Sequence, residues 1–91
     1  MTFLNSCILV GRYRDVTIID DKLSCFILVV NDDDGDITIP VFIETEVAKQ
    51  IFKSCNPHVL IGIKGKIDAD ENGLIIKAIK ITFLSTQKRA D

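Results

Sequence analysis

Tryptophan is absent from this chain, and proline occurs only twice and glycine five times among its 91 residues. With 47% hydrophobic residues, that scarcity excludes a low-complexity or disordered segment and points to one packed domain with a single modest core. No apolar run approaches the roughly 18 residues needed for a membrane span, so no membrane partner is expected. The opening MTFLNSCILVGRYR has neither a basic region ahead of its apolar residues nor a small-residue cleavage site. It does not read as a signal peptide, and a cytoplasmic location is expected. The cysteines, Cys7, Cys25 and Cys55, are odd in number and irregularly spaced, which fits reduced thiols better than a disulfide framework.

Catalytic and metal-binding chemistry finds equally little to work with. His58 is the only histidine. Cys55-Asn56-Pro57-His58 has a two-residue spacer that begins some zinc sites, but no second such pair exists, and no metal is expected. The acidic run NDDDGD at 31–36 departs from a calcium loop, because alternate aspartates would need a ligand at Val30 and the expected glutamate is replaced by Val41. No Ser/His/Asp set, phosphate-cradling glycine loop or nucleotide fingerprint is visible. The chain therefore reads as a non-enzyme without a cofactor.

What is present is a pattern of periods. Residues 39–67 change period twice. Ile39, Val41 and Ile43 alternate with Pro40, Phe42 and Glu44 as in a two-faced strand. Val47, Ala48, Ile51, Phe52 and Cys55 then form one helical stripe, with Glu46, Lys49, Gln50 and Lys53 on the wet side. Asn56-Pro57 stops the helix, and the β-branched residues of 59–67 return, with Gly62 and Gly65 where a strand coils or another backbone approaches. Before this stretch, 3–14 reads as a first strand with a bend or bulge at Gly11, and Asp20-Asp21 as a polar turn. A second strand over 23–30 sets Leu23, Cys25, Ile27 and Val29 on one face and Ser24, Phe26, Leu28 and Val30 on the other. Both faces are largely apolar, so this strand is either central or covered by a neighbouring subunit. A turn at 31–36 precedes the third strand, which Ile37 opens, and a turn at 68–73 separates the fourth strand from a fifth over 74–84. An all-β chain of five strands with one helix between the third and fourth is the order of a five-stranded OB-fold barrel. The barrel is expected over 1–85, with a short tail at 86–91.

Several segments carry a resemblance in the same order along the chain. They are Asn5-Ser6-Cys7-Ile8-Leu9-Val10-Gly11-Arg12, Phe26-Ile27-Leu28-Val29-Val30-Asn31, Ile39-Pro40-Val41, Val47-Ala48, Gly65-Lys66 and Ile81-Thr82-Phe83-Leu84. Together they resemble the bacterial single-stranded DNA-binding protein family. The resemblance implies an OB fold, sequence-tolerant binding of single-stranded DNA in replication, recombination or repair, and oligomers assembled through the first strand. Pairing of segments 4–10 about a two-fold axis predicts a homodimer or homotetramer.

The departures bear on function. The family's stacking aromatics fall on Thr38 and Glu44, which cannot stack, and the long hairpins are short and acidic here. Because each stacked base is worth about 1–3 kcal/mol, binding should be weaker than in the family. Phe42 shares parity with Thr38, Pro40 and Glu44, so it either stacks a base or packs under a loop or in a subunit contact. These 91 residues carry no counterpart of the family's flexible tail with an acidic tip, so recruitment of replication proteins through such a tail is not expected.

The formal net charge of −2 speaks against a nonspecific polyanion binder, but the distribution speaks for one. Asp20, Asp21, Asp32, Asp33, Asp34, Asp36, Asp68, Asp70 and Glu71 fall in predicted turns, whereas Arg12, Arg14, Lys64, Lys66, Lys77 and Lys80 fall on predicted strands. Lysine serves phosphate as a point charge. These cations with Phe42 are the candidate nucleic-acid site; otherwise they keep the sheet soluble. Tyr13, between two arginines, belongs to the core or to a stacking site. A second reading is an OB-fold protein-interaction module, similar to the small primosomal proteins related to this family, with weak or no DNA binding. RNA stays open, since no residue is assigned to a 2′-hydroxyl.

Overall fold

A computed structural model describes residues 4–54 and 59–84. The chain closes into a five-stranded barrel in the order β1-β2-β3-β5-β4. Its elements are β1 (Cys7–Ile18), β2 (Leu23–Asp32), β3 (Gly35–Glu44), α1 (Thr45–Ser54), β4 (Leu60–Asp70) and β5 (Gly73–Phe83). The expected OB-fold order, with the helix between the third and fourth strands, is the observed one. All neighbouring strands are antiparallel except β3 and β5, which meet in parallel over Val41–Ile76 and Phe42–Lys77.

Alternation decides which side chains go inside. Phe26, Leu28, Val41, Ile43, Ile61, Ile63 and Ile76 line the interior, and Ala48 of α1 packs onto them from one end. The helical stripe is the reason, since Val47, Ala48, Ile51 and Phe52 are the buried or half-buried positions of α1 while Glu46, Lys49, Gln50 and Lys53 are exposed. Tyr13 settles in the core at 2% exposure, its ring 4.4 Å from that of Phe52 and 6.2 Å from that of Phe26. Cys55, the stop at Asn56-Pro57, His58 and the 86–91 tail lie outside the described residues.

Several boundaries differ from expectation for identifiable reasons. β1 runs on to Ile18, because an irregularity between Arg14 and Thr17, with Asp15 at φ 55°, carries the strand past the expected end. Gly11 is not that bulge. A Cβ there would lie 2.4 Å from the Val29 carbonyl oxygen, at the point where β1 leaves its pairing with β4 and takes up β2. Gly65 admits the Lys77 carbonyl in the same way, at 2.4 Å, whereas a Cβ on Gly62 would meet only the Leu84 side chain at 3.4 Å. Ahead of β1, Asn5 substitutes a side-chain amide for a ladder residue: its Nδ2 donates to the Ile67 carbonyl at 2.9 Å and its Oδ1 accepts the Ile67 N–H at 3.0 Å.

Ser24, which a strand pattern alone would leave unexplained in an apolar row, is fully buried and bonded to Thr45. Thr45 Oγ1 donates to the Asp20 carbonyl at 2.8 Å, and its N–H donates to the Lys22 carbonyl at 3.0 Å. One hydroxyl proton serves one acceptor, so Ser24 is the donor in the 2.7 Å contact between the two hydroxyls. The polar turn at Asp20 is likewise closed, its Oδ1 accepting the N–H groups of Lys22 and Leu23 at 2.8 and 2.7 Å. Those two donors favour the carboxylate and lower the Asp20 pKa from its ordinary value.

Candidate nucleic-acid interface

Strand register sorts the outward-facing residues into rows that run around the barrel. Residues directly opposite in neighbouring strands share a face. One row crosses all five strands: Thr17, Cys25, Phe42, Lys77 and Lys66. Two shorter rows beside it are Arg14–Ile27–Pro40 and Arg12–Val29–Thr38. A fourth row, on β1, β4 and β5, aligns Ile8, Lys64 and Lys80.

The seven candidate residues therefore fall into two groups. Lys64, Lys66, Lys77 and Lys80 form two cross-strand pairs on β4 and β5, and Phe42 adjoins the Lys66–Lys77 pair across the parallel junction. A register shift between Lys64 and Gly65 lets the lysines face each other despite unequal spacing on the two strands, two residues apart on β4 and three on β5. Gly65 permits the close approach that this needs. Arg12 and Arg14 sit apart from the lysines, on β1. β1 also borders β4, where Arg12 lies opposite Leu60, four residues along the strand from Lys64 and about 13 Å away.

The cations are not equally available. Lys77 Nζ lies 2.8 Å from Asp68 Oδ2, and the pair lowers the Asp68 pKa, assisted by the Ala69 N–H that donates to its Oδ1. Arg14 Nε is 3.6 Å from Asp15 Oδ2, and Arg12 donates to Asn31 Oδ1 at 3.2 Å. Among the described residues, no ion pair engages the exposed Lys64, Lys66 and Lys80. The Asp68 contact was hidden from the sequence by a misplaced boundary. The strands extend to Asp32 and Asp70, leaving only residues 33–34 and 71–72 as turns, so Asp68 and Asp70 are strand residues, as are Asp32 and Asp36.

Phe42 is half-buried on the outer side of β3, with the parity expected of it. It lines an open cleft of about 530 Å³ together with Leu23, Glu44, Ile75, Lys77 and Ala78, and with Asp70 of the β4–β5 hairpin. Leu23, Ala78 and Asp70 were not candidate residues. Leu23 reaches the site through the β2–β3 hairpin, where it lies opposite Glu44, whereas Ala78 and Asp70 are brought beside Phe42 by the parallel contact of β3 with β5. Thr38 is exposed and Glu44 ends β3, so neither supplies an aromatic face.

No protein-family model matches this chain, and no curated protein matches it in sequence. Solved structures do match in fold. The mitochondrial single-stranded DNA-binding protein Rim1 of S. cerevisiae superposes with a TM-score of 0.72 at 10% identity, over 94% of this chain and 96% of that one. The SSB domain of a Synechococcus sp. protein gives a TM-score of 0.62 at 15% identity, covering 89% and 97% of the two chains. An OBody, AM1L10, bound to hen egg-white lysozyme, gives 0.68 at 15% identity, covering 88% and 78%. At these identities the likeness is one of fold.

Proposed function

We propose that this protein binds single-stranded DNA with little sequence preference, in replication, recombination or repair. The observation that carries the reading is the double pair of lysines, Lys66–Lys77 and Lys64–Lys80, set beside Phe42 on an OB barrel. Such a surface neutralises phosphates and offers one ring for stacking, the two contributions that single-strand binding needs. Likeness in fold to two proteins described as single-stranded DNA-binding or SSB supports the same reading. Affinity is expected to be moderate, because Thr38 and Glu44 stack nothing and Asp68 already occupies Lys77.

Self-association through β1 belongs to this proposal. β1 pairs with β4 over Cys7 to Arg12 and with β2 only from Arg12 onward, so its first half keeps one open edge among the described residues. Beside that edge Leu4 and Ile8 are 92% and 75% exposed. A sedimentation run showing monomers at micromolar concentration overturns the dimer.

The second reading, a protein-interaction module, is favoured by the acid that the structure adds to the site, Asp68 on Lys77 and Glu44 and Asp70 around Phe42. The OBody complex with lysozyme is an instance of a barrel of this shape engaging a protein. Binding of a fluorescent oligothymidylate over a salt series, with duplex DNA of equal length as control, separates the two. Single-strand preference with log affinity falling as log salt rises is the expected result, and the slope divided by about 0.7 counts the phosphates neutralised. Absence of binding at low salt overturns it in favour of a protein partner.

A further inference from the structure

The cleft beside Phe42 combines chemistry that a plain stacking platform does not need. Its walls are apolar, from Leu23, Phe42, Ile75 and Ala78, and its volume of about 530 Å³ is within the range that holds a small ligand. Two carboxylates, Glu44 and Asp70, line it as well. Asp70 Oδ1 accepts the Asn72 N–H at 2.8 Å, which leaves its other oxygen, and the Glu44 side chain has no hydrogen-bond or ion-pair partner among the described residues. On the β5 side stand Lys77 and, one strand further, Lys66.

An ionised carboxylate only accepts hydrogen bonds. A wholly anionic ligand is repelled by Glu44 and Asp70, and a wholly apolar one leaves the acids and the lysine without purpose. A nucleotide within a strand answers all three features, with a flat base for the ring, an anionic phosphate for the lysines and, in some bases, an exocyclic amino group for the acids. Cytosine presents that amino group where uracil and thymine present a carbonyl oxygen. Against a carboxylate, the amino group gains a charge-assisted hydrogen bond, while the carbonyl sets lone pairs against lone pairs.

We propose that this cleft is a one-nucleotide subsite in which a base stacks on Phe42 and donates its amino group to Glu44 or Asp70, so that the protein prefers amino-bearing bases. The phosphate of that nucleotide falls to Lys66, since Lys77 is shared with Asp68. The inference rests on the reading that the protein binds single-stranded nucleic acid.

Oligomers of deoxycytidine and deoxyuridine of equal length, competed against one another at neutral pH and low salt, test it, because the two bases differ at the position the acids read. Deoxycytidine is expected to bind at least about tenfold tighter, the scale of one hydrogen bond to a charged acceptor. Glu44→Ala, and Glu44→Ala with Asp70→Ala, should bring the ratio toward one, chiefly by strengthening deoxyuridine, which no longer faces the carboxylates, while deoxycytidine loses its hydrogen bond. Phe42→Ala should weaken both. Equal or tighter binding of deoxyuridine by the unmodified protein overturns the subsite and leaves nucleic-acid binding standing, as does a preference that survives in the double variant. Failure of both oligomers to bind overturns the underlying function, and the subsite with it.

Discussion

Ser24 and Thr45 share a 2.7 Å hydrogen bond between hydroxyls in the barrel wall, with both residues at 1% exposure or less. The bond ties the start of β2 to the start of α1. Since Thr45 passes its own proton to the Asp20 carbonyl, the β1–β2 turn is held by the same residue. Replacing Thr45 with Val strands the Ser24 hydroxyl and the Asp20 carbonyl, and should cost about 1–3 kcal/mol in urea unfolding. Adding Ser24→Ala to that variant should cost less than the sum of the single changes, because it removes one of the stranded groups.

Asp68 competes with phosphate for Lys77. Asp68→Asn removes the competing charge, so oligothymidylate affinity should rise and the plot of log affinity against log salt should steepen by about 0.7, one more phosphate neutralised. An unchanged slope would place Lys77 outside the DNA path.

Lys64 and Lys66 are the cations without an ion-pair partner on β4 among the described residues. Alanine at each should flatten the salt slope by about 0.7 and weaken binding at low salt more than at high salt. Stability should change by less than about 0.5 kcal/mol, since both side chains are exposed.

The two glycines of β4 should respond differently to alanine. At Gly65 the new methyl meets the Lys77 backbone at 2.4 Å and forces β4 and β5 apart, with a loss of about 1–3 kcal/mol. At Gly62 it meets only the Leu84 side chain at 3.4 Å, and chemical unfolding should show a smaller change. Because Gly65 sits between Lys64 and Lys66, its variant should also weaken DNA binding at a temperature where it remains folded.

Acid should unfold the protein in part through Asp20 and Asp68. Both have pKa values lowered in the folded state, Asp20 by the N–H groups of Lys22 and Leu23 and Asp68 chiefly by Lys77. Their contribution is thus fully present above the ordinary carboxylate pKa of about 4 and is lost as pH falls through the lowered values. Unfolding midpoints measured downward from pH 5 should decline less steeply in Asp20→Asn, whose amide oxygen still accepts but does not titrate.

The period of the sequence alone determined the order of strands and helix, the wet and dry sides of α1, the outward parity of Phe42 and the inward rows of β2 and β3. Those features depend on neighbours within a few residues, because side-chain direction follows the local backbone repeat. Tyr13 between two arginines shows the limit of composition, for its parity with Gly11 and Leu9 sent it to the core whatever the charge beside it. Tertiary structure alone decided which distant residues meet. The register of β4 on β5 set Asp68 diagonally from Lys77 and Lys66 opposite it, and the parallel contact of β3 with β5 set Phe42 against Lys77. Turn composition concealed this, because aspartates read as loop residues turned out to lie in the strands. The cleft that holds Leu23, Phe42, Asp70 and Ala78 exists only once the barrel is closed, since its walls come from four strands and closure is a property of pairing between segments far apart in sequence.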